Sequence, residues 1–252
     1  METKIYNTIS AGIRLHVEIT FPKKIEEKLE KIVIIATGDG KSGSKSGTWR
    51  TLIPALLKEN IGVVSFDFFG LGESGGDYEN LSLTLGIENL LSVIEVIKVS
   101  GIKYKKIGVV GASFGGCVAL IVGSLYEKFD FMVLKSPASS LYEAYENEQK
   151  YFENMLQWSR TGISPVTKQK FNVYLDTFKY NVYGMIDQLH TKTLIIHGNN
   201  DQIVPIQQSL RLINLNKEIQ MKILDGVDHD YMQNDALKKF VEYTVKFIKE
   251  HC

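Results

Sequence analysis

Five short runs, Lys31–Thr37, Gly62–Phe68, Lys106–Gly111, Phe131–Ser136 and Thr193–His197, are rich in β-branched residues and apolar at most positions. A strand with one face in water alternates, so strands that fail to alternate must be covered on both faces, as in a parallel sheet flanked by helices. A sixth run, Ile219–Leu224, is weaker and alternating. Helical periodicity fills the intervals at Trp49–Lys58, Leu83–Val99, Gly116–Tyr126, Ile206–Ile213 and Ala236–Ile248. In the second of these, Leu83, Ile87, Leu90, Leu91, Ile94 and Ile97 share one face. Strand and helix in alternation predict an α/β fold, a doubly wound and mostly parallel sheet wound by right-handed crossovers, with its chemistry at the carboxyl ends of the strands. Residues 4–20 differ: they alternate about a turn at Ser10-Ala11-Gly12 and read as an antiparallel hairpin at a sheet edge. Together these make about eight strands.

Residues 138–191 interrupt the rhythm, because a single helix would suffice to join the strands on either side. The insertion carries ten of the chain's 26 aromatics, and it reads as a small helical cap on a core made of 1–137 and 192–252. Those aromatics either line an apolar pocket or cement the cap to the body. A chain of 252 residues with 44% apolar residues builds one substantial core.

The pattern Gly-x-Ser-x-Gly occurs at Gly72–Gly76, around Ser74, and at Gly111–Gly115, around Ser113. Context separates them. Ser113 closes an apolar strand and opens an apolar helix, where glycines allow a sharp reversal and the helix start offers N–H groups to developing negative charge. Ser74 has no strand immediately before it and no helix directly after, so it is assigned to a loop. A serine hydroxyl needs a base, and the base needs an orienting group. Of the five histidines, His16 sits in the hairpin, His190 in the insertion, His251 at the terminus, and His197 precedes Gly198 where it structures a turn. His229 follows the last strand in the polar loop Asp225-Gly-Val-Asp-His229-Asp-Tyr, at the sheet edge where Ser113 should stand. Asp201 directly follows a strand in His197-Gly-Asn-Asn-Asp201. Asp225, Asp228 and Asp230 would need a loop that doubles back, and Asp187 lies off a strand end.

These strings resemble the α/β-hydrolase superfamily across nearly the whole chain, through Gly111–Gly115, the turn His197–Pro205, the loop around His229, and Asp67-Phe-Phe-Gly70-Leu-Gly72-Glu-Ser74. The resemblance is to its esterases and lipases, in particular the small-cap cinnamoyl and feruloyl esterase type. It implies Ser113 as nucleophile, His229 as general base and acid, and Asp201 as the group orienting His229, with Ser74 structural. Many members have His-Gly after the first core parallel strand; here Thr37-Gly38-Asp39 stands instead. Since the oxyanion donor there is a backbone amide, the N–H groups of Phe114 and Asp39 are the expected oxyanion hole. The Asp39 side chain, which would oppose the charge, is expected to point outward or pair with Lys41.

Gly40-Lys41-Ser42 looks like the end of a phosphate loop, but position 35 is Ile where that loop needs Gly. With 29 basic against 29 acidic side chains, nothing favours a nucleic-acid partner. Two cysteines, Cys117 and Cys252, make neither a disulfide framework nor a metal cluster, so no cofactor and no metal are expected. No apolar stretch is long enough to span a bilayer and no export signal is visible, so the expected location is the cytoplasm. The expected partner is a small-molecule ester with a modest apolar or aromatic acyl group, and a homodimer is compatible with the sequence. Alternatives within the fold are acyl thioesterases, acyl transferases and serine aminopeptidases, the last anchoring a substrate amine on Glu143, Glu146 or Glu148. Outside enzymes, a non-catalytic relative that binds a small apolar ligand fits the same pattern.

Overall fold

A computed structural model describes residues 2–22, 28–126, 129–233 and 235–250. His251 and Cys252 therefore lie outside the described residues. One eight-stranded sheet organises the chain: β1 (Glu2–Ser10), β2 (Ile13–Phe21), β3 (Leu29–Ala36), β4 (Gly62–Phe66), β5 (Tyr104–Ala112), β6 (Phe131–Lys135), β7 (Lys192–Gly198) and β8 (Gln220–Leu224). Its order is β1-β2-β4-β3-β5-β6-β7-β8. The hairpin β1–β2 is antiparallel and joins β4 antiparallel, with Val17 opposite Phe66. From β4 to β8 every neighbouring pair is parallel.

Helices α1 (Gly47–Lys58), α2 (Leu83–Val99), α3 (Ser113–Leu125), α8 (Gln207–Leu215) and α9 (Ala236–Glu250) cover the sheet. The missing alternation in the central strands now has its cause. In β3, Ile32 and Ile34 face the α2 and α3 side, while Val33 and Ile35 face the side of α1 and α9. Both sets are fully buried. Close helix packing depends on small residues: a Cβ on Gly86 of α2 would stand 2.6 Å from the Phe114 ring of α3. Ser82 caps α2, its hydroxyl accepting from the Leu85 N–H at 3.2 Å.

Between β6 and β7 run α4 (Leu141–Gln149), α5 (Phe152–Thr161), α6 (Phe171–Asp176) and α7 (Val182–Met185). Tyr145 and Trp158 are buried there, and they belong to the same apolar cluster as α2 and α3. Five of the rings, Tyr145, Trp158, Phe171, Tyr174 and Phe178, form a chain of edge and tilted contacts. These aromatics chiefly bind the segment to itself and to the body. No helix among the described residues is long and apolar enough to cross a membrane.

Candidate active site

Ser113 stands at the first position of α3 with φ +49°, the left-handed region that a serine occupies only when its surroundings enforce it. The surrounding glycines do so. A Cβ on Gly115 would lie 2.2 Å from the Thr37 carbonyl oxygen and 2.3 Å from that of Ala36, and one on Gly111 would meet the Gly115 backbone at 2.9 Å. The end of β3 and the start of α3 thus touch backbone to backbone. Gly38 continues that contact, since a Cβ there would be 3.6 Å from the Ser113 Cβ. The loop after β3 is thereby laid against the serine, beside the first N–H groups of α3. Phe114 itself is buried, its ring edge-on to Phe68.

His229 lies in the loop between β8 and α9, and its Nδ1 is 2.7 Å from Asp201 Oδ2. Asp201 is buried in the turn after β7. Its Oδ1 accepts from the N–H groups of Ile203 and Val204 at 3.0 and 2.8 Å. Burial pushes this carboxyl up, but hydrogen bonds from His197 and His229, with the Val204 N–H, outweigh it and hold Asp201 well below the usual carboxylate range. An ionised carboxylate only accepts, so His229 Nδ1 carries a proton, and in the neutral imidazole the lone pair is on Nε2. His197 is fully buried; it bridges Val204 O and Ser209 Oγ at 2.9 and 2.7 Å and passes Asp201 Oδ2 at 3.4 Å. Two of the nearby rivals of Asp201 are engaged elsewhere. Asp225 accepts from Asn199 at 2.8 Å and Asp228 from Gln233 at 2.6 Å.

Ser113 and His229 line one cavity of ≈ 340 Å³, together with Asp39, Lys41, Lys135 and Glu148. Asp39 departs from expectation. No ion pair joins it to Lys41 among the described residues; the carboxylate is turned into the cavity, where burial raises its pKa against the opposing influence of its own N–H and of His229. On the same cavity wall α4 contributes Glu148, which burial and the nearby Asp39 push up to about 7. Tyr78 and Tyr145 are raised by burial and by the same two carboxyl groups.

Ser74 lies away from this cavity, its hydroxyl donating to Asp67 O at 2.6 Å and accepting the His16 N–H at 2.9 Å. Asp67 accepts from Ser44 N–H at 2.7 Å and Glu73 N–H at 2.9 Å, tying the loop after β3 to the loop after β4. His16, Glu18 and Glu73 bring three donors together, but the two ring nitrogens face different carboxylates and Lys45 occupies Glu18 at 2.7 Å. These side chains form an ion-pair cluster, engaged with one another and with Lys45. His190 is exposed.

An elbow serine on a mostly parallel sheet of this order, with the acid turn and histidine loop at the same strand ends, defines an α/β-hydrolase. Residues 50–252 match the prolyl oligopeptidase family, and the chain belongs to that family. Among solved structures it is similar to Est1E from Butyrivibrio proteoclasticus with ferulic acid bound, at TM-score 0.83 and 22% identity over 98% of both chains. It is also similar to the esterase Pf2001 of Pyrococcus furiosus, at TM-score 0.77 and 23% identity over 98% of this chain and 92% of that one. By sequence it is 23% identical to the 2-hydroxy-6-oxo-6-(2'-aminophenyl)hexa-2,4-dienoic acid hydrolase of Metapseudomonas resinovorans, over 87% of this chain and 84% of that protein. An acyl transferase of Shewanella woodyi is 26% identical over 94% and 81%.

Proposed function

We propose that the protein is a serine hydrolase that cleaves a carboxylic ester through an acyl-enzyme. One observation carries this reading: Ser113, held at positive φ at the head of α3, shares its cavity with an imidazole whose far nitrogen is bonded to a buried carboxylate at 2.7 Å. In the first step His229 Nε2 takes the Ser113 proton as Oγ attacks the ester carbonyl. The tetrahedral oxyanion is held by the N–H groups of Phe114 and Asp39. Collapse breaks the carbon–oxygen bond, and the alcohol leaves with the proton from His229. Water then attacks the acyl-enzyme by the same route and returns Ser113 free. Residues 138–191 serve as a cap over the substrate. The esterase and hydrolase names among the relatives support this reading.

A fluorophosphonate probe tests it, beside nitrophenyl esters of rising acyl length. Labelling at Ser113, with ester turnover abolished in Ser113→Ala, is the expected result. Folded protein that resists labelling would instead fit the ligand-binding relative.

A second reading has its own observation. Asp39 and Glu148 enter the cavity as carboxyl groups with no ion-pair partner among the described residues. A substrate amine would neutralise them, and the family match supports hydrolysis of an aminoacyl amide. Aminoacyl nitroanilides run beside the esters separate the two; a higher kcat/KM on the amides would move the assignment to a peptidase.

A further inference from the structure

Strand β6 is buried along its length, yet it ends in a lysine. Lys135 is 6% exposed, and it lines the cavity shared by Ser113 and His229. Its Nζ donates to the His229 carbonyl oxygen at 2.8 Å and stands 3.8 Å above the Tyr231 ring centroid. The Tyr231 hydroxyl in turn donates to Ile196 O of β7 at 2.7 Å. The loop that carries His229 is therefore fastened twice, at the histidine's own carbonyl to the end of β6 and two residues further on, at Tyr231, to β7. Backbone strain marks Tyr231, at φ +59°, and the residue that follows Lys135, Ser136 at φ +41°.

A buried ammonium is a costly way to hold a loop, since burial disfavours the charged form. An apolar side chain would fill the end of β6 and complete the sandwich with Tyr231 at lower cost. What the ammonium adds is a charge-assisted bond to one particular carbonyl, that of the imidazole-bearing residue. Its donors are spent on that carbonyl and the ring face, so it is poorly placed to act as a base toward Ser113.

We infer that Lys135 is a positioning residue for His229, fixing the height of its loop so that the imidazole stays between Asp201 and Ser113. This rests on the ester-hydrolase reading for its effect on rate, but the geometric part stands apart from it. Burial lowers the lysine to about 8, while Asp230, Asp201 and Asp228 favour its charged form. Asp39, Lys41 and Glu148 line the other walls of the same cavity. The bond to the His229 carbonyl therefore weakens as pH rises through about 8.

The test is Lys135→Met, which keeps length and removes the donor. Expected is a kcat about tenfold to a hundredfold lower with KM within about threefold, since a misplaced base costs rate more than binding. The alkaline fall of kcat near pH 8 should vanish in the variant. A readout independent of turnover is the low-field proton resonance of His229 Nδ1–H, which should broaden or disappear once the loop is released. If Lys135→Met fails to fold, Tyr231→Phe cuts the second fastener and should lower kcat and broaden the imidazole resonance more weakly, with the alkaline fall retained. Wild-type labelling at Ser113 decides the functional reading separately. With that labelling present, a Lys135→Met kcat within twofold of wild type, an unmoved alkaline limb or an unchanged imidazole resonance would overturn the positioning role; with wild type inert, the resonance alone decides it.

Discussion

Asp39 and Glu148 enter one cavity from different elements, the loop after β3 and helix α4, and Asp39 makes Glu148 harder to ionise. Glu148 is pushed up from 4.5 to about 7 by burial and by Asp39. The folded protein therefore holds a proton that the unfolded chain releases between those two values. Stability attached to Glu148 is fully present below about pH 4.5 and is lost as pH rises through about 7. Glu148→Gln, which cannot ionise, should melt higher than wild type at pH 8 and no higher near pH 4. Melting curves of the two proteins across that range check it, and equal differences at both pH values would contradict the assignment.

If the pair also anchors a substrate amine, Glu148→Gln should raise KM for aminoacyl nitroanilides by about tenfold and leave nitrophenyl acetate within about twofold, an exchange of one buried charge contact. Parallel changes on both substrates would assign Glu148 to the shape of the cavity alone.

The strands, the hairpin and the covering helices were legible because their signals are local. Two-sided burial writes itself as unbroken apolarity in β3, and one-sided burial as alternation in β2. The elbow was legible for a similar reason: Gly111 and Gly115 are demanded by backbone contacts that no other residue could make. The direction of the Asp39 side chain was not, because it depends on how tightly the loop after β3 folds onto the elbow, a contact between segments 75 positions apart in sequence. Glu148 stood among three equivalent glutamates on α4, and only the approach of α4 to the β3 loop singles it out. Lys135 did leave a trace, as a charge inside an otherwise apolar strand. Its partner is the backbone of residue 229, for which no side-chain pattern exists.

Gly115→Ala tests the backbone contact directly. The added methyl would stand 2.2 and 2.3 Å from two carbonyl oxygens at the end of β3, so backbone must move. Overpacking of this kind costs about 1–3 kcal/mol or more. The loop bearing the proposed Asp39 donor moves with it, and kcat should fall by at least about a hundredfold. Denaturant melts and ester kinetics read the two effects; retention of both would mean that the loop yields freely.

Asp67→Ala removes the acceptor of two backbone donors, the buried N–H of Ser44 and the half-buried N–H of Glu73, and unties the loop after β3 from that after β4. An orphaned buried donor costs about 1–3 kcal/mol and a half-buried one less, so roughly 1–4 kcal/mol of stability should go. Asp67→Asn keeps one acceptor and should lose about half as much. Equal losses in the two variants would point to the charge and not to the bonds.

Asp201→Asn separates electrostatics from shape at the imidazole. The amide can present its N–H to Nδ1, which would then become the acceptor and move the proton to Nε2, where no lone pair remains for Ser113. A kcat loss on the order of 10⁴-fold with little change in KM is expected. The stability consequence has the opposite sign to that of Glu148. The folded carboxyl is held below its ordinary 3.8, so its contribution is present above that value and drains away as pH falls further. Wild type should therefore lose stability on acidification below about pH 4 more steeply than Asp201→Asn. Paired urea melts at pH 3 and pH 6 measure that difference; curves that run parallel would mean that hydrogen bonds from His197, His229 and the Val204 N–H do not outweigh burial at Asp201.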